Sequence, residues 1–139
     1  MISFNYETDF SLDNETDFSN WLSEVISSEL KTEGEINYIF CDDNYLVKIN
    51  QQFLDHDTLT DIISFDYSIG NELHGDVFIS VERVIENAQD FKVTFEEELR
   101  RVIVHGILHY CGYKDKNEED EKLMRQKEEE KIKMFHVKR

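Results

Sequence analysis

Residues 94–112 read TFEEELRRVIVHGILHYCG and carry the strongest structural signal in the chain. Thr94, followed three residues later by Glu97, forms a capping box, which marks the start of a helix. Acidic side chains at Glu96–Glu98 also suit the positive end of a helix dipole. Residues at helical spacing then predict a face that packs into the core, formed by Leu99, Val102, Ile103 and Gly106. Gly112 is typical of the residue after the last turn, so the stretch predicts one well-capped helix.

Short strands and helices are predicted on both sides of this helix, with no repeat, linker or proline between them. Strands are predicted at Met1–Glu7, Ile36–Cys41, Thr60–Tyr67 and Asp76–Val81, with a loop at Ser68–Gly75. Further helices are predicted to begin at about Thr16, Asp43, Val81 and Asn117. Because the last of these helices is very polar, we expect it to lie across the surface.

Length and composition predict a single globular domain that spans residues 1–139. The chain is 40% hydrophobic and 12% aromatic, which is enough to build one core. It has no run of about 18 apolar residues, and its first residues lack the pattern of a secretion signal, so we expect a soluble, cytoplasmic protein with no membrane partner. Cys41 and Cys111 could pair, but two thiols fit a reducing compartment better.

The net charge of −16 disfavours a nucleic-acid partner at first sight, because phosphate binding draws on clustered Lys and Arg. The basic residues are unevenly distributed, however. Residues 1–91 contain only Lys31, Lys48 and Arg83, whereas residues 92–139 contain twelve basic and eleven acidic side chains. An anionic substrate would therefore have to be bound by the C-terminal third, and the acidic remainder is typical of a solvated surface.

His105 and His109 are four residues apart on the predicted helix and therefore lie one turn apart on the same face. Both rings can reach one metal ion. Gly112 stops the helix, and the turn that follows could bring Asp115 back toward them. Two imidazoles and a carboxylate leave the fourth position of a tetrahedral zinc site to water, as catalytic zinc requires. The spacing H-x3-H-x2-G-x2-D therefore predicts a zinc site.

Two other interpretations compete with this one. An H-x3-H pair occurs on many helices as two ordinary side chains, and only the turn glycine and the correctly spaced carboxylate favour a metal site. The pattern is also close to the metalloprotease signature H-E-x-x-H, in which the glutamate is the general base. That position is Gly106 here, so a peptidase mechanism of this kind is not expected.

Three ordered motifs resemble those of the YbeY family of bacterial endoribonucleases, which act in the maturation of small-subunit ribosomal RNA. Residues 105–113, HGILHYCGY, match the family pattern H-G-x-L-H-x-x-G-Y. Residues 60–65, TDIISF, resemble its T-D-V-L-S-F strand, and residues 75–80, GDVFIS, resemble its G-D-I-x-I-S strand. The order and spacing of the motifs also agree, and the resemblance covers residues from about 46 to 125.

The resemblance implies an α+β fold, in which a small mixed sheet of about four strands is covered by helices and one zinc ion is bound on a helix-turn. It also implies RNA as substrate and ribosomal or RNA-processing proteins as partners. Two positions depart from the family pattern. Asp115, after Lys114, stands where a histidine is the usual third ligand, and carboxylate is an acceptable zinc ligand. Leu54 stands where many members carry an arginine for phosphate chemistry.

The remaining roles are assigned to residues near the motifs. No Lys or Arg occurs from residue 49 to residue 82, so positive charge for the substrate is expected from Arg100, Arg101, Lys114 and Lys116. Asp61 and Asp76, which lie at strand ends in two of the motifs, are candidate general bases. Either could equally be a turn-forming or capping residue, so the general base stays open.

These observations predict a zinc-dependent, single-strand-specific endoribonuclease of ribosomal RNA processing, in which activated water attacks a phosphodiester. Two alternatives stay open. The protein could instead be a binding module of the ribosome or of the RNA-processing machinery with a structural metal, which the charge of −16 and Leu54 favour. It could also be a zinc hydrolase that acts on another substrate.

Overall fold

The computed structural model describes residues 1–54 and 60–138. Within them the chain forms four strands: β1 (Ile2–Tyr6), β2 (Thr32–Cys41), β3 (Ile62–Asp66) and β4 (Glu72–Ser80). Five helices accompany these strands: α1 (Glu15–Ser28), α2 (Asp43–Leu54), α3 (Val81–Phe91), α4 (Phe95–Tyr110) and α5 (Glu118–Lys138). Each predicted strand and helix is present, with ends that differ by a few residues. Leu54 ends α2, and its side chain lies outside the described part of the chain.

The four strands form a mixed sheet in the order β1-β2-β4-β3. β1, β2 and β4 are parallel, whereas β3 runs antiparallel to β4. This arrangement confirms the predicted α+β fold with a four-stranded mixed sheet. The loop predicted at residues 68–75 is shorter, because β4 already begins at Glu72, where it pairs with Thr32 of β2. Pairing with a distant strand extends β4 beyond what its local sequence indicates.

Helices cover both faces of the sheet. The face toward α1 and α4 holds the main core, whose fully buried side chains include Trp21, Leu22, Tyr38, Phe40, Val77, Ile79, Ile103 and Ile107. The Tyr38 hydroxyl donates a hydrogen bond to the Ile103 carbonyl oxygen at 2.7 Å and so joins β2 to α4. A smaller cluster that includes Leu46, Ile63 and Phe78 lies on the α2 side. Since side chains alternate along a strand, neighbouring residues of β4 face different helices.

Helix α5 lies across the surface, as predicted, and is docked by one of its faces. Met124, Glu128 and Lys131 are each no more than 3% exposed. They follow the spacing i, i+4, i+7 and therefore form one stripe along the helix. The Trp21 indole N–H donates to the Lys131 carbonyl oxygen at 2.7 Å. Glu128 and Lys131 therefore occupy buried positions on this stripe, where an amphipathic helix normally has apolar residues.

The ion pair between Lys131 and Glu29 docks α5 beside the end of α1. Lys131 Nζ lies 2.8 Å from Glu29 Oε2, and the Tyr113 hydroxyl donates to Glu29 Oε1 at 2.7 Å. Burial alone would raise the pKa of Glu29. The hydrogen bonds from Lys131 and Tyr113 and the charges of Lys131 and Lys127 outweigh burial and hold this pKa below its ordinary value of 4.5. Ionised Glu29 therefore stabilises the docked helix.

We expect Glu29→Gln to lower the free energy of unfolding by about 1–3 kcal/mol near neutral pH. A carboxyl group whose pKa is lowered by folding contributes its stability above its ordinary pKa, 4.5, and loses it as the pH falls through the folded pKa. The deficit of the variant should therefore shrink at acidic pH. Urea unfolding over a pH series measures this, with exposed Glu119→Gln as the control. A deficit that does not change with pH would contradict the assignment.

Two observations bear on the surroundings of the protein. Cys41 and Cys111 are both free thiols, and burial raises their pKa values to about 12 and about 11. Neither thiol is therefore a nucleophile near neutral pH. No helix in residues 1–54 and 60–138 combines the length and the apolar character needed to cross a bilayer.

Candidate metal centre

Helix α4 is fixed at its start and at its middle. The Thr94 hydroxyl accepts a hydrogen bond from the Glu97 N–H at 3.1 Å, which confirms the predicted N-terminal cap. Gly106 packs against the sheet, where a Cβ atom would lie 3.2 Å from a Val77 methyl and 3.4 Å from Ile62 Cδ1. The position that holds glutamate in metalloproteases therefore faces β3 and β4. This packing supports the expectation that a protease mechanism does not apply.

Gly112 ends α4 and redirects the chain. Its φ angle is +104°, which favours glycine, and its N–H donates to the His109 carbonyl oxygen at 3.0 Å. The Tyr113 N–H donates to the Leu108 carbonyl oxygen at 3.1 Å. The two bonds form a Schellman motif, as the sequence predicts. The turn brings Asp115 back beside the last turns of the helix.

Three side-chain atoms converge at this turn: Nε2 of His105, Nε2 of His109 and Oδ2 of Asp115. The two imidazole nitrogens are 3.0 Å apart, and the carboxylate oxygen lies 3.2 Å from the first and 3.3 Å from the second. The three residues are the group in the described part of the chain that could hold a metal ion. Because the three separations are nearly equal, the donor atoms form an almost equilateral triangle that one ion could contact on all three sides.

Glu128 of α5 orients the His105 ring by contacting Nδ1, the ring nitrogen that does not face His109 and Asp115. Its Oε2 lies 2.6 Å from His105 Nδ1, and the carboxylate is 2% exposed. Because a carboxylate can only accept, this contact favours the tautomer with the proton on Nδ1 and the lone pair on Nε2, on the side of His109 and Asp115. This contact across helices is the second shell that metal-binding histidines usually have.

Two open cavities meet at these residues. One, of about 290 Å³, runs toward β3 and is lined by Thr60, Asp61, Ile62 and Ser64. The other, of about 500 Å³, runs toward α5 and is lined by Glu118, Glu121, Lys122 and Arg125. His105, Asp115 and Arg101 line both. The three donor atoms therefore lie midway along a groove between β3 and α5.

Comparison with known proteins agrees with the motifs. The profile of the family described as Endoribonuclease YbeY matches residues 3–136. The protein named Endoribonuclease YbeY from Flavobacterium psychrophilum is 72% identical over 138 residues, which cover 99% of this chain and 99% of the relative. This chain belongs to the YbeY endoribonuclease family. The Endoribonuclease YbeY of Karelsulcia muelleri is 47% identical over 139 residues, 100% of this chain and 97% of the relative.

A solved structure shares the fold of this YbeY family member. The solution structure of TM1509 from Thermotoga maritima matches it with a TM-score of 0.72 and 29% identity, over 97% of this chain and 89% of that one. The family and the enzyme class that the three motifs predict, an endoribonuclease, are confirmed.

The four basic residues predicted for substrate binding lie in three different places. Lys114 and Lys116 are exposed on the turn, on either side of Asp115. Arg101 lines the groove, but it pairs with Glu98 and Glu128. Arg100 is not brought to the groove: its guanidinium lies over the Phe135 ring at 5.1 Å. It lies five positions before His105, which turns it about 140° away around the axis of α4.

The two candidate general bases are on different sides of the sheet. Asp61 lines the cavity that contains His105 and His109, and its Oδ2 accepts a hydrogen bond from Asn87 Nδ2 at 3.3 Å. Asp76 lies on β4 and accepts from Asn37 Nδ2 at 3.1 Å. Its neighbours on β4, at positions 75 and 77, face α4, so the Asp76 side chain faces away from it. The structure therefore brings only Asp61 of this pair to the histidines.

Glu98 lies in a different environment from the one that the sequence predicts. The sequence groups it with acidic residues that favour a helix start, but its side chain is 2% exposed. Burial raises its pKa, and the bonded Arg101 guanidinium opposes this shift. Burial alone would lower the pKa of Arg101, but its hydrogen bond to Glu98 and the charges of Glu98 and Glu128 outweigh burial and raise it.

Sequence reasoning missed Glu128 as a partner of the site. The residue is 23 positions from His105 and lies in a run of charged residues that is typical of a solvated helix. One signal could have revealed it. Met124, Glu128, Lys131 and Phe135 share one helical stripe, and two charged residues on the face that carries the apolar contacts indicate buried partners.

We expect Asp115→His to retain zinc binding, because histidine is the family's usual ligand at this place and the side chain is 40% exposed, which leaves room for a larger ring. Asp115→Ala should weaken zinc binding by about 10²-fold or more, since two ligands remain. Titration against a competing chelator measures both variants. Equal zinc affinity of Asp115→Ala and wild type would show that Asp115 is not a ligand.

Proposed function

We propose that this chain is a zinc-dependent endoribonuclease that cleaves single-stranded RNA in the maturation of small-subunit ribosomal RNA. The observation that carries the proposal is the convergence of His105 Nε2, His109 Nε2 and Asp115 Oδ2, within 3.3 Å of one another, midway along an open groove. Family membership supports RNA as the substrate. The proposal treats residues 1–139 as one domain that works in the cytoplasm, where free thiols such as Cys41 persist.

Zinc fits the three donor atoms. Imidazole nitrogen and carboxylate oxygen both bind zinc, and their separations of 3.0–3.3 Å match the roughly 3.3 Å between neighbouring ligands in a zinc tetrahedron. Zinc at such a site lowers the pKa of a water molecule toward neutrality and offsets charge that develops on a phosphate. His105, His109 and Asp115 would hold one ion, and Glu128 keeps the His105 Nε2 lone pair available.

The groove suits a single strand. A flexible strand can bend along the two cavities and present one phosphate to the ligands, whereas an A-form duplex keeps its phosphates on a rigid helix. Lys114 and Lys116 flank Asp115, and Lys122 and Arg125 line the cavity toward α5. We assign to these four side chains the contacts with phosphates next to the cleaved bond. Partners among ribosomal or RNA-processing proteins would bring the RNA to the groove.

We assign the general base to Asp61. It lines the cavity on the β3 side of the ligands, where it can accept a proton from an attacking water. The hydrogen bond from Asn87 and the bond from the Ser80 N–H to the Asp61 carbonyl oxygen, at 2.9 Å, hold the residue in place. A group fixed in this way is oriented before the substrate arrives.

The second candidate function is a binding module whose metal is structural, and the net charge of −16 favours it. A structural zinc site normally has four protein ligands, whereas the candidate group in the described residues has three. An open fourth position supports catalysis. The charge instead predicts weak RNA binding: with the four phosphate contacts assigned to the groove, affinity should fall about 50-fold between 50 and 200 mM salt.

A depletion and restoration experiment tests the proposal. Purified protein is stripped with a chelator, then loaded with one equivalent of zinc, and each form is incubated with an end-labelled RNA, free or annealed to its complement. We expect cleavage of the free strand by the zinc-loaded form, little cleavage of the duplex, and almost none by the stripped form.

Each of the other possible results would contradict the proposal in a different way. Cleavage that is unaffected by stripping would overturn the zinc-dependent mechanism. If zinc removal unfolds the domain and the loaded protein binds RNA without cutting it, the binding-module function is correct. A loaded protein that neither binds nor cuts RNA, but hydrolyses another ester, would identify a zinc hydrolase of a different substrate.

A further inference from the structure

Three charged side chains, Glu98, Arg101 and Glu128, are buried together beside the metal ligands, and we call them the Arg101 network. Both glutamates are 2% exposed, and Arg101 is 19% exposed. Arg101 Nε donates to Glu98 Oε1 at 3.1 Å and Nη2 donates to Glu98 Oε2, while Nη1 donates to Glu128 Oε1 at 3.5 Å. Charges buried this deeply cost several kcal/mol each unless they are paired, so removing one partner alone would destabilise the protein.

Glu128 connects the network to the metal ligands. One carboxylate oxygen, Oε1, contacts Arg101, and the other, Oε2, contacts His105 Nδ1 at 2.6 Å. Arg101 is itself fixed by two bonds to Glu98, one turn earlier on α4. The orientation of the His105 ring is therefore set by a chain of contacts that begins at Glu98 and crosses to α5 and back.

We propose that Arg101, held by Glu98, is a positioning residue that sets the zinc affinity of the site through Glu128 and His105. This inference rests on the proposed metal site. Arg101 holds Glu128 where its second oxygen accepts the Nδ1–H of His105. The Nε2 lone pair then points to the place that His109 and Asp115 share. Without Arg101, the Glu128 carboxylate loses its fixed orientation, and His105 can adopt the tautomer with the proton on Nε2, which leaves no lone pair on that nitrogen for the metal.

The charges around the site support this role. With neutral histidines, the negative charges of Glu98, Glu128 and Asp115 exceed the positive charge of Arg101 by two. A divalent cation balances that excess. Removing Arg101 would take away the guanidinium that contacts both Glu98 and Glu128, so Glu128 would no longer be held against His105.

A direct role of Arg101 in substrate binding is the competing explanation, since Arg101 also lines the groove. The geometry favours positioning, because Nε, Nη1 and Nη2 each already donate to a carboxylate. The two roles predict different kinetics. Loss of a phosphate contact raises KM and leaves zinc affinity unchanged, whereas loss of positioning weakens zinc binding itself.

The test compares Arg101→Met and Glu128→Gln with Lys131→Met. Lys131 is a matched control, because it is a buried cation of α5 whose Nζ contacts Glu29, Glu130 and Ser28, away from His105. Three quantities are measured: zinc affinity by chelator competition, unfolding of the zinc-free protein in urea, and the His105 tautomer by long-range proton–nitrogen NMR. A fourth protein, Glu98→Gln/Arg101→Met, removes two of the three charges of the Arg101 network and serves if Arg101→Met does not fold.

We expect Arg101→Met, Glu128→Gln and the double variant to bind zinc about 10–100-fold more weakly than wild type. In the zinc-free state they should also populate the Nε2–H tautomer of His105, which wild type should lack. Lys131→Met should lose stability but keep wild-type zinc affinity and tautomer. Equal zinc weakening in Lys131→Met at equal loss of stability would overturn the proposal, because metal affinity would then follow the docking of α5. Wild-type zinc affinity in the Arg101 variants would also overturn it.

Failure of this inference is distinguishable from failure of the proposed function. If wild-type protein binds no zinc, the proposed function fails. The tautomer in the zinc-free proteins still reports whether Arg101 positions His105. If wild type binds zinc and cleaves RNA while the Arg101 variants bind zinc equally well, only the positioning role is wrong.

Discussion

Replacing His109 with alanine is expected to abolish stoichiometric zinc binding and to reduce RNA cleavage by more than about 10³-fold. His109 Nε2 lies 3.0 Å from His105 Nε2 and 3.3 Å from Asp115 Oδ2, so the variant removes one of three donor atoms. The side chain is 30% exposed and belongs to neither hydrophobic cluster, so the free energy of unfolding of the zinc-free protein should change by less than about 1 kcal/mol.

Metal content, RNA cleavage and urea unfolding of His109→Ala are measured beside His136→Ala. His136 is an exposed histidine on α5, next to Phe135 and outside the two cavities that meet at the ligands. The control should retain zinc and activity. Equal cleavage by His109→Ala and wild type would indicate a contaminating nuclease and would remove the basis for the proposed function.

The second large effect is expected at Asp61. Asp61→Asn should reduce the cleavage rate by about 10²–10⁴-fold, because the amide cannot accept a proton from water. Zinc content and stability should be preserved, because the side-chain oxygen of asparagine can still accept the hydrogen bond from Asn87. The single-turnover rate with saturating RNA isolates this effect from substrate binding.

Asp76→Asn is the matched control for Asp61→Asn. It has the same change in charge and shape at the other candidate position, on the opposite side of the sheet, where the carboxylate accepts a bond from Asn37. Its rate should stay within a few-fold of wild type. If Asp76→Asn slows cleavage as much as Asp61→Asn, neither residue is identified as the base, and the effect is one of net charge.

The helix that carries the two histidines was determined by its own sequence. The Thr94 cap, the glycine at position 112 and the spacing of His105 and His109 are local signals, and each acts within one or two turns of the chain. The position of Asp115 follows from the same turn. Local geometry of this kind depends little on the rest of the fold, so it could be predicted from the residues.

The partners of that helix were decided only by tertiary structure. Glu128 reaches His105 from 23 residues away, Asp61 and Asp76 separate onto two sides of the sheet, and α5 docks through a buried lysine. The stripe that Glu128 shares with Met124 and Phe135 indicates that it is buried, but the local pattern does not identify the residue that pairs with it. The reason is that a charge can be buried only where an opposite charge meets it, and that partner comes from a distant part of the chain.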